Sequence, residues 1–225
     1  MAGVSYTLNV FNNSTQTGDT CIYQTDPNTN MPNVQSLAWF SKMSTPTTKM
    51  KFTWQVDYSF VWSETGVLVP GVVFDASQNQ AADLSTSNQI TFTNVGGAYD
   101  FQNQTVGPQA GTLYIRQDGT IASQAASVGI GMSGAGTFAV ESQPNMSAMF
   151  TPHPVYWITF GNYVAGQVLD VATISQKKQI LFPVNVYSMT ATFNPDNTWS
   201  VSSTASVNSA FVTARKRDRN AVWAA

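Results

Sequence analysis

Met50-Lys-Phe-Thr-Trp-Gln-Val-Asp-Tyr-Ser-Phe-Val-Trp62 is the stretch that decides the fold class. Met50, Phe52, Trp54, Val56, Tyr58, Phe60 and Trp62 alternate with Lys51, Thr53, Gln55, Asp57 and Ser59, and only Val61 interrupts the alternation. A period of two places every large side chain on one face of an extended strand. The helical template fails, because the i, i+3, i+7 series from Met50 lands on Thr53 and Asp57. Each aromatic ring buried removes roughly 150–250 Å² from water, about 4–6 kcal/mol as an upper bound. A slip of one residue would turn Thr53, Gln55 and Asp57 inward, so the stretch sets its own register. It predicts a central strand of a large antiparallel β structure.

Working outward, Tyr6–Phe11 reads as a first strand, with Cys21–Gln24 as its hairpin partner across a turn-rich connection. Ala76–Ser87 has no apolar face and reads as a surface loop. Thr112–Arg116 and Ile121 flank Gln117-Asp-Gly-Thr120, a hairpin signal. Val128–Val140 is strand-like but interrupted by glycine, which in a strand marks a bulge or a close backbone approach. Asn145–Phe150, Val155–Phe160 and Gln167–Ile174 read as separate strands, and Val186–Phe193 pairs across Asn194-Pro-Asp-Asn197 with Trp199–Val201. No internal repeat or composition shift divides the chain. The expectation is one all-β domain over residues 1–204, a single antiparallel β-sandwich of about ten to fourteen strands. Residues 205–225 form a C-terminal tail, expected to dock on the domain or on a neighbouring subunit.

A chain of 225 residues with 43% hydrophobic and 12% aromatic residues can bury a substantial core. Only 10% of its residues are charged, against roughly 25% in ordinary soluble proteins. The surface must therefore be Ser, Thr, Asn, Gln and Gly. With a formal net charge of −2, such a surface repels its own copies weakly and favours association. The N-terminus has no basic or apolar targeting signature, and no run approaches 18 apolar residues. No integral membrane segment is expected, and from the residues alone the expected compartment is cytoplasmic or one reached by non-classical secretion. Cys21 is the only cysteine, which excludes an internal disulfide and a cysteine-based zinc site. A buried inert thiol is its ordinary role; a disulfide between subunits is the sharper one.

Most apparent chemistry dissolves on inspection. Gly129-Ile-Gly-Met-Ser-Gly134 matches the dinucleotide fingerprint, but the strand-like Ala135–Val140 follows where a helix N-terminus is required. His153, between Pro152 and Pro154, has no nucleophile elbow beside it and reads as a turn residue. Glu64 and Glu141, the two glutamates, would serve a glycosidase only as a pair roughly 5–10 Å apart. Asp26-Pro-Asn-Thr-Asn30 starts like a calcium loop but has Met31 and Leu37 where glycine and glutamate belong. The basic run Arg215, Lys216, Arg217 and Arg219 includes Asp218, lacks interleaved aromatics and does not predict nucleic-acid binding. With Val222 and Trp223 as anchors, it reads instead as a contact to a neighbouring copy. No catalytic residue, metal ligand or cofactor is expected, and the chain reads as non-enzymatic.

Leu37-Ala-Trp-Phe-Ser-Lys, Phe52-Thr-Trp-Gln-Val-Asp-Tyr-Ser-Phe-Val-Trp-Ser-Glu-Thr-Gly-Val-Leu-Val-Pro-Gly71, the opening Tyr-Thr-Leu-Asn-Val-Phe-Asn-Asn and Tyr156-Trp-Ile-Thr-Phe-Gly161 resemble the rhizosphere-induced (RhiA-like) family. That resemblance spans most of the chain and implies no catalytic residues. The chain is also similar to a related fungal vacuolar crystal-forming protein that packs into octahedral inclusions. That similarity implies a self-assembling storage or ballast role in a vacuole, and carries over no site.

Composition and resemblance together predict a structural protein whose partners are copies of itself, in a homo-oligomer, lattice or crystalline inclusion. An interface of amides and hydroxyls is satisfied by direct and water-bridged hydrogen bonds without burying charge. The alternative is a carbohydrate- or membrane-binding module, suggested by Trp39 and Tyr163 as exposed loop aromatics beside Asn-rich turns.

Overall fold

In the computed structural model, residues 4–28 and 32–209 are described, and they form sixteen strands. The first six are β1 (Ser5–Asn12), β2 (Gly18–Asn28), β3 (Gln35–Ser36), β4 (Ala38–Ser44), β5 (Lys49–Gln55) and β6 (Tyr58–Ser63). Then come β7 (Gln78–Ala82), β8 (Gln89–Val95), β9 (Ala98–Thr105), β10 (Leu113–Gln117), β11 (Ser127–Met132) and β12 (Ala135–Glu141). The last four are β13 (Ser147–Gly161), β14 (Lys177–Ile180), β15 (Ser188–Phe193) and β16 (Trp199–Ser203). Residues 204–209 are helical. Among the described residues, no helix is long and apolar enough to cross a membrane.

The strands make three sheets rather than the two faces of one sandwich. A four-stranded sheet runs β16-β15-β1-β5, a seven-stranded sheet runs β4-β2-β13-β10-β8-β9 with β14 also on β13, and a five-stranded sheet runs β3-β12-β11-β6-β7. Two pairings, β1 with β15 and β10 with β8, are parallel, so the purely antiparallel expectation is corrected. β1 does not pair with β2. It lies between β15, from the far end of the chain, and β5, while β2 enters the seven-stranded sheet. The crossing is made at Asn12, which is buried and donates through Nδ2 to Gln16 O (2.9 Å) and Ser44 O (3.2 Å).

The stretch from Met50 to Trp62 is two strands in two sheets. The chain breaks at Val56, 44% exposed, and at Asp57, whose carboxylate accepts from Ser133 N at 2.7 Å. In β5 the alternation holds, with Phe52 and Trp54 buried and Lys51 and Thr53 out. In β6 every residue from Ser59 to Ser63 is buried, because the strand is covered on both faces. Phe60 and Trp62 face one core, and Val61 packs with Leu68, Phe74 and Val168 on the other side.

The break separates two main cores. The first joins Leu8, Phe52, Trp54 and Phe193 of the four-stranded sheet to Trp39, Ile158 and Phe160 of the seven-stranded sheet. The second joins Phe60, Val128 and Ile130 of the five-stranded sheet to Phe92, Ile115 and Phe150. β13 spans both, and its register shifts at the Pro152–Val155 irregularity, where proline cannot donate to the ladder. Asn145–Phe150 and Val155–Phe160 are thus parts of one bent strand. Tyr58 packs against both clusters.

Other expectations change for local reasons. Ala76–Ser87 contains β7, held by amides rather than apolar packing: Gln78 Oε1 accepts from Trp62 Nε1 (2.7 Å) and Phe101 N (3.2 Å), and Gln80 Nε2 donates to Gln104 Oε1 (3.0 Å). The hairpin across Gln117–Thr120 is absent, since β10 lies between β8 and β13. Gln167–Ile174 is a loop with isolated bridges from Gln167 to Val73 and Val168 to Leu37. The β15–β16 hairpin forms as expected. At Gly129 the β12 backbone leaves no room for a side chain: a Cβ there would lie 2.0 Å from Phe138 O. The glycine motif is a hairpin, with Ser133 and Gly134 at positive φ in its turn.

Candidate functional site

The outer face of the four-stranded sheet carries a broad trough. In β1, Leu8 and Val10 turn inward, which sends Thr7, Asn9 and Phe11 outward by the period of two. Strand register then builds rows across the sheet. Asn9 stands between Thr190 and Lys51, Phe11 between Thr192 and Lys49, and Thr7 between Ser188 and Thr53. Ser202 and Ser200 of β16 extend the first two rows.

The rows are tied by hydroxyls and amides. Asn9 Nδ2 lies 3.3 Å from Thr204 Oγ1 and 3.4 Å from Met189 O, and Thr204 Oγ1 lies 2.9 Å from Ser188 Oγ and 3.1 Å from Thr190 Oγ1. A trough of about 770 Å³ crosses this face, lined by Phe11, Lys49, Lys51, Thr190, Thr192 and Val207 among others, with no carboxylate among its described lining residues. The Lys49 ammonium lies 5.6 Å from the centroid of the Phe11 ring. At the sheet edge, Lys42 Nζ sits 4.8 Å over Phe52 and donates to Lys51 O at 2.8 Å.

Cys21 is fully buried beside Tyr23, Ala38, Leu169 and Ile174. Burial, reinforced by the Asp19 carboxylate, pushes its thiol far above the ordinary range. A thiolate is needed for disulfide exchange and this sulfur has no exposed surface, so a bridge between subunits through Cys21 is not compatible with the native packing. Arg215, Lys216, Arg217, Arg219, Val222 and Trp223, expected to contact a neighbouring copy, lie outside the described residues, as do Thr29, Asn30 and Met31 of the calcium-like loop.

Trp39 is a core residue and not an exposed loop aromatic. It is 1% exposed, and its Nε1 donates to Met132 O at 2.8 Å, linking β4 to the β11–β12 hairpin of another sheet. Tyr163 is half-buried over Cys21 and Tyr23. His153 is exposed, with Nδ1 3.3 Å from Thr151 O. Both oxygens of Glu141 are engaged, one by Leu68 N (2.9 Å) and the other by Gln124 Nε2 (2.7 Å), which suits a loop anchor. Among the described residues, no cluster of three or more His, Cys, Asp or Glu could hold a metal.

The trough was not foreseen, although its signal was present. Lys49-x-Lys51, Thr190-x-Thr192 and Thr7-x-Asn9-x-Phe11 are the outward phases of three alternating strands. What the sequence hides is their adjacency, because β1 and β15 lie about 180 residues apart and pair in parallel.

A model of the RhiA family matches residues 3–204 of this chain. Protein RhiA of Rhizobium leguminosarum bv. viciae is 39% identical over 202 residues, covering 88% of this chain and 87% of that protein. No solved structure matches it.

Proposed function

The chain belongs to the RhiA family, and from that premise we propose that it is a non-enzymatic structural protein that assembles with copies of itself into a homo-oligomer, lattice or crystalline inclusion. The observation that carries this reading is the outer face of the four-stranded sheet, a broad array of Thr, Ser and Asn with no carboxylate among the described residues of its trough. Such a face meets another copy at little desolvation cost, because its polar groups exchange water for hydroxyl and amide partners. The low charge of the whole chain supports the same reading. Its body is one domain of β layers packed face to face, and its setting is a vacuolar or cytoplasmic inclusion. The basic and apolar residues of the tail, from Arg215 to Trp223, add contacts between copies.

Electron microscopy of concentrated native protein tests the proposal. Arrays or filaments with a regular repeat are expected; dispersed particles of monomer size at every concentration would overturn it.

A second reading, a carbohydrate- or membrane-binding module, draws on a cleft of about 330 Å³ lined by Tyr6, Val56, Pro154, Tyr156, Leu181 and Phe182 among others. Tyr6 packs edge-on to Phe182 at 4.9 Å, so an aromatic wall is available to a sugar ring or an acyl chain. Binding on a glycan array or to phospholipid vesicles, lost in Phe182→Ser, would favour it; no binding in either format would remove it.

A further inference from the structure

Charge is scarce in this chain, and its lysines are clustered. All five lysines of the described residues, Lys42, Lys49, Lys51, Lys177 and Lys178, lie on strands β4, β5 and β14, around the first core. Six carboxylates, Glu64, Asp75, Asp83, Asp100, Asp118 and Glu141, lie between residues 64 and 141, on β6 to β12 and their loops, where Arg116 is the one described cation. Asp19, Asp26, Asp57, Asp170 and Asp196 lie outside that stretch, so the contrast is local: the trough has lysines and no carboxylate among its described lining residues, and the loop from Glu64 to Asp75 has a carboxylate at each end and no cation.

Each of these two places is a shaped feature. The trough is edged by the exposed Lys49 and Lys51. The loop between Glu64 and Asp75 projects three valines: Val67, Val69 and Val73 are 49%, 50% and 39% exposed. This loop is rigid. Leu68 and Phe74 anchor it in the core, Gly71 N donates to Val168 O (3.0 Å), Phe74 N to Gly166 O (2.9 Å), and Val168 N to Val72 O (2.8 Å). Three exposed valines on a pinned loop are a preformed apolar contact that costs little ordering on binding. Glu64 and Asp75, both exposed, flank its base.

We propose that the valine loop of one copy seats in the trough of the next, with Glu64 and Asp75 facing Lys49 and Lys51. The contact uses two different surfaces of the same chain, so it is heterologous, and repetition extends it into a filament or lattice row rather than closing a dimer. This inference rests on the self-assembly reading and names the surfaces that perform it. Opposite charges at the trough edge and at the loop flanks favour this pairing over trough-to-trough or loop-to-loop encounters.

Two charge-reversed proteins test it, with circular dichroism and thermal melts to show that each folds like the parent. Lys49→Glu/Lys51→Glu makes both the trough edge and the loop flanks negative, and Glu64→Lys/Asp75→Lys makes both positive. Each alone should associate about tenfold more weakly than the parent by sedimentation velocity, and an equimolar mixture should associate again, because unlike charges are restored across the contact. Parent-like association of either variant alone, or a mixture as weak as its components, would overturn the contact. Carbodiimide cross-linking of mixed light and heavy isotope-labelled parent protein gives a second readout. Links between copies from Lys49 or Lys51 to Glu64 or Asp75 are expected; links from those lysines to Asp218 instead would place residues 210–225 in the trough and refute the proposal. A parent protein that stays monomeric defeats the self-assembly reading itself, whereas an assembling parent with indifferent variants defeats only this contact.

Discussion

Trp39→Phe measures how strongly the separate sheets are joined. Trp39 is 1% exposed, meets Phe40 in a tilted contact at 4.2 Å and Trp54 edge-on at 5.5 Å. Phenylalanine keeps part of this packing and removes two things. The lost ring area is at most ~100 Å², or up to about 2.5 kcal/mol at ~25 cal/mol per Å². The Nε1 donor to Met132 O at 2.8 Å also disappears, and depriving a buried acceptor of its partner costs about 1–3 kcal/mol. A loss of about 3–4 kcal/mol is expected, a large part of the roughly 5–15 kcal/mol that holds a domain folded. Urea unfolding of dilute protein should show the midpoint lowered by roughly 1–2 M with little change in slope. Trp157→Phe is the control: Trp157 is half-buried and donates to the part-exposed Thr25 hydroxyl at 2.8 Å, which water can replace. Its cost should stay near 1 kcal/mol or below. Equal midpoints for the two variants would refute the reasoning that the Trp39 indole ties β4 to the β11–β12 hairpin.

Gly129→Ala should destabilise by about 3 kcal/mol or more, since the new methyl meets the Phe138 carbonyl and cannot be absorbed by a flexible side chain; an unfolding midpoint like the parent's would show that the two strands can part. Cys21 should resist thiol reagents in native protein and react fully in denaturant, while rapid native labelling would mean that β2 opens. Stability should be flat between about pH 5 and 8 and fall outside that window. On the acid side, hydrogen bonds from Ser85 and Thr86 hold the Asp83 carboxyl well below its usual range, and those from Thr120 and Thr198 lower Asp118 and Asp196. Their contribution is present above the unfolded value near ~3.9 and is lost as pH falls below it. On the alkaline side, burial pushes Tyr156 up to about 12 and raises Tyr23, Tyr58 and Cys21. The unfolded chain releases those protons first, from about pH 8.5–10, so stability drops there. A maximum outside the pH 5–8 window, read from thermal melts, would contradict these assignments.

The all-β class was legible because alternation in β5 and in β15 survives burial on one face. What alternation cannot report is which sheet a strand joins. The run from Met50 to Trp62 keeps its period across Val56 and Asp57, yet the chain changes sheets there, and only the hydrogen bonds to Ser133 mark the corner. β7 was missed because its stabilisation comes from glutamine amides, which look like loop residues in a linear reading. Trp39 was misplaced because a short apolar segment gives no sign of the carbonyl, more than ninety residues away, that its indole reaches. The trough was hidden for the reason that makes it broad: its strands come from opposite ends of the chain.

Particle mass tests the central claim most directly. Static light scattering of native protein should give a mass well above the 24.3 kDa of one chain, rising with concentration, falling with added salt and unchanged by reductant, because Cys21 is buried. A constant mass of one chain across the accessible concentration range would contradict the account.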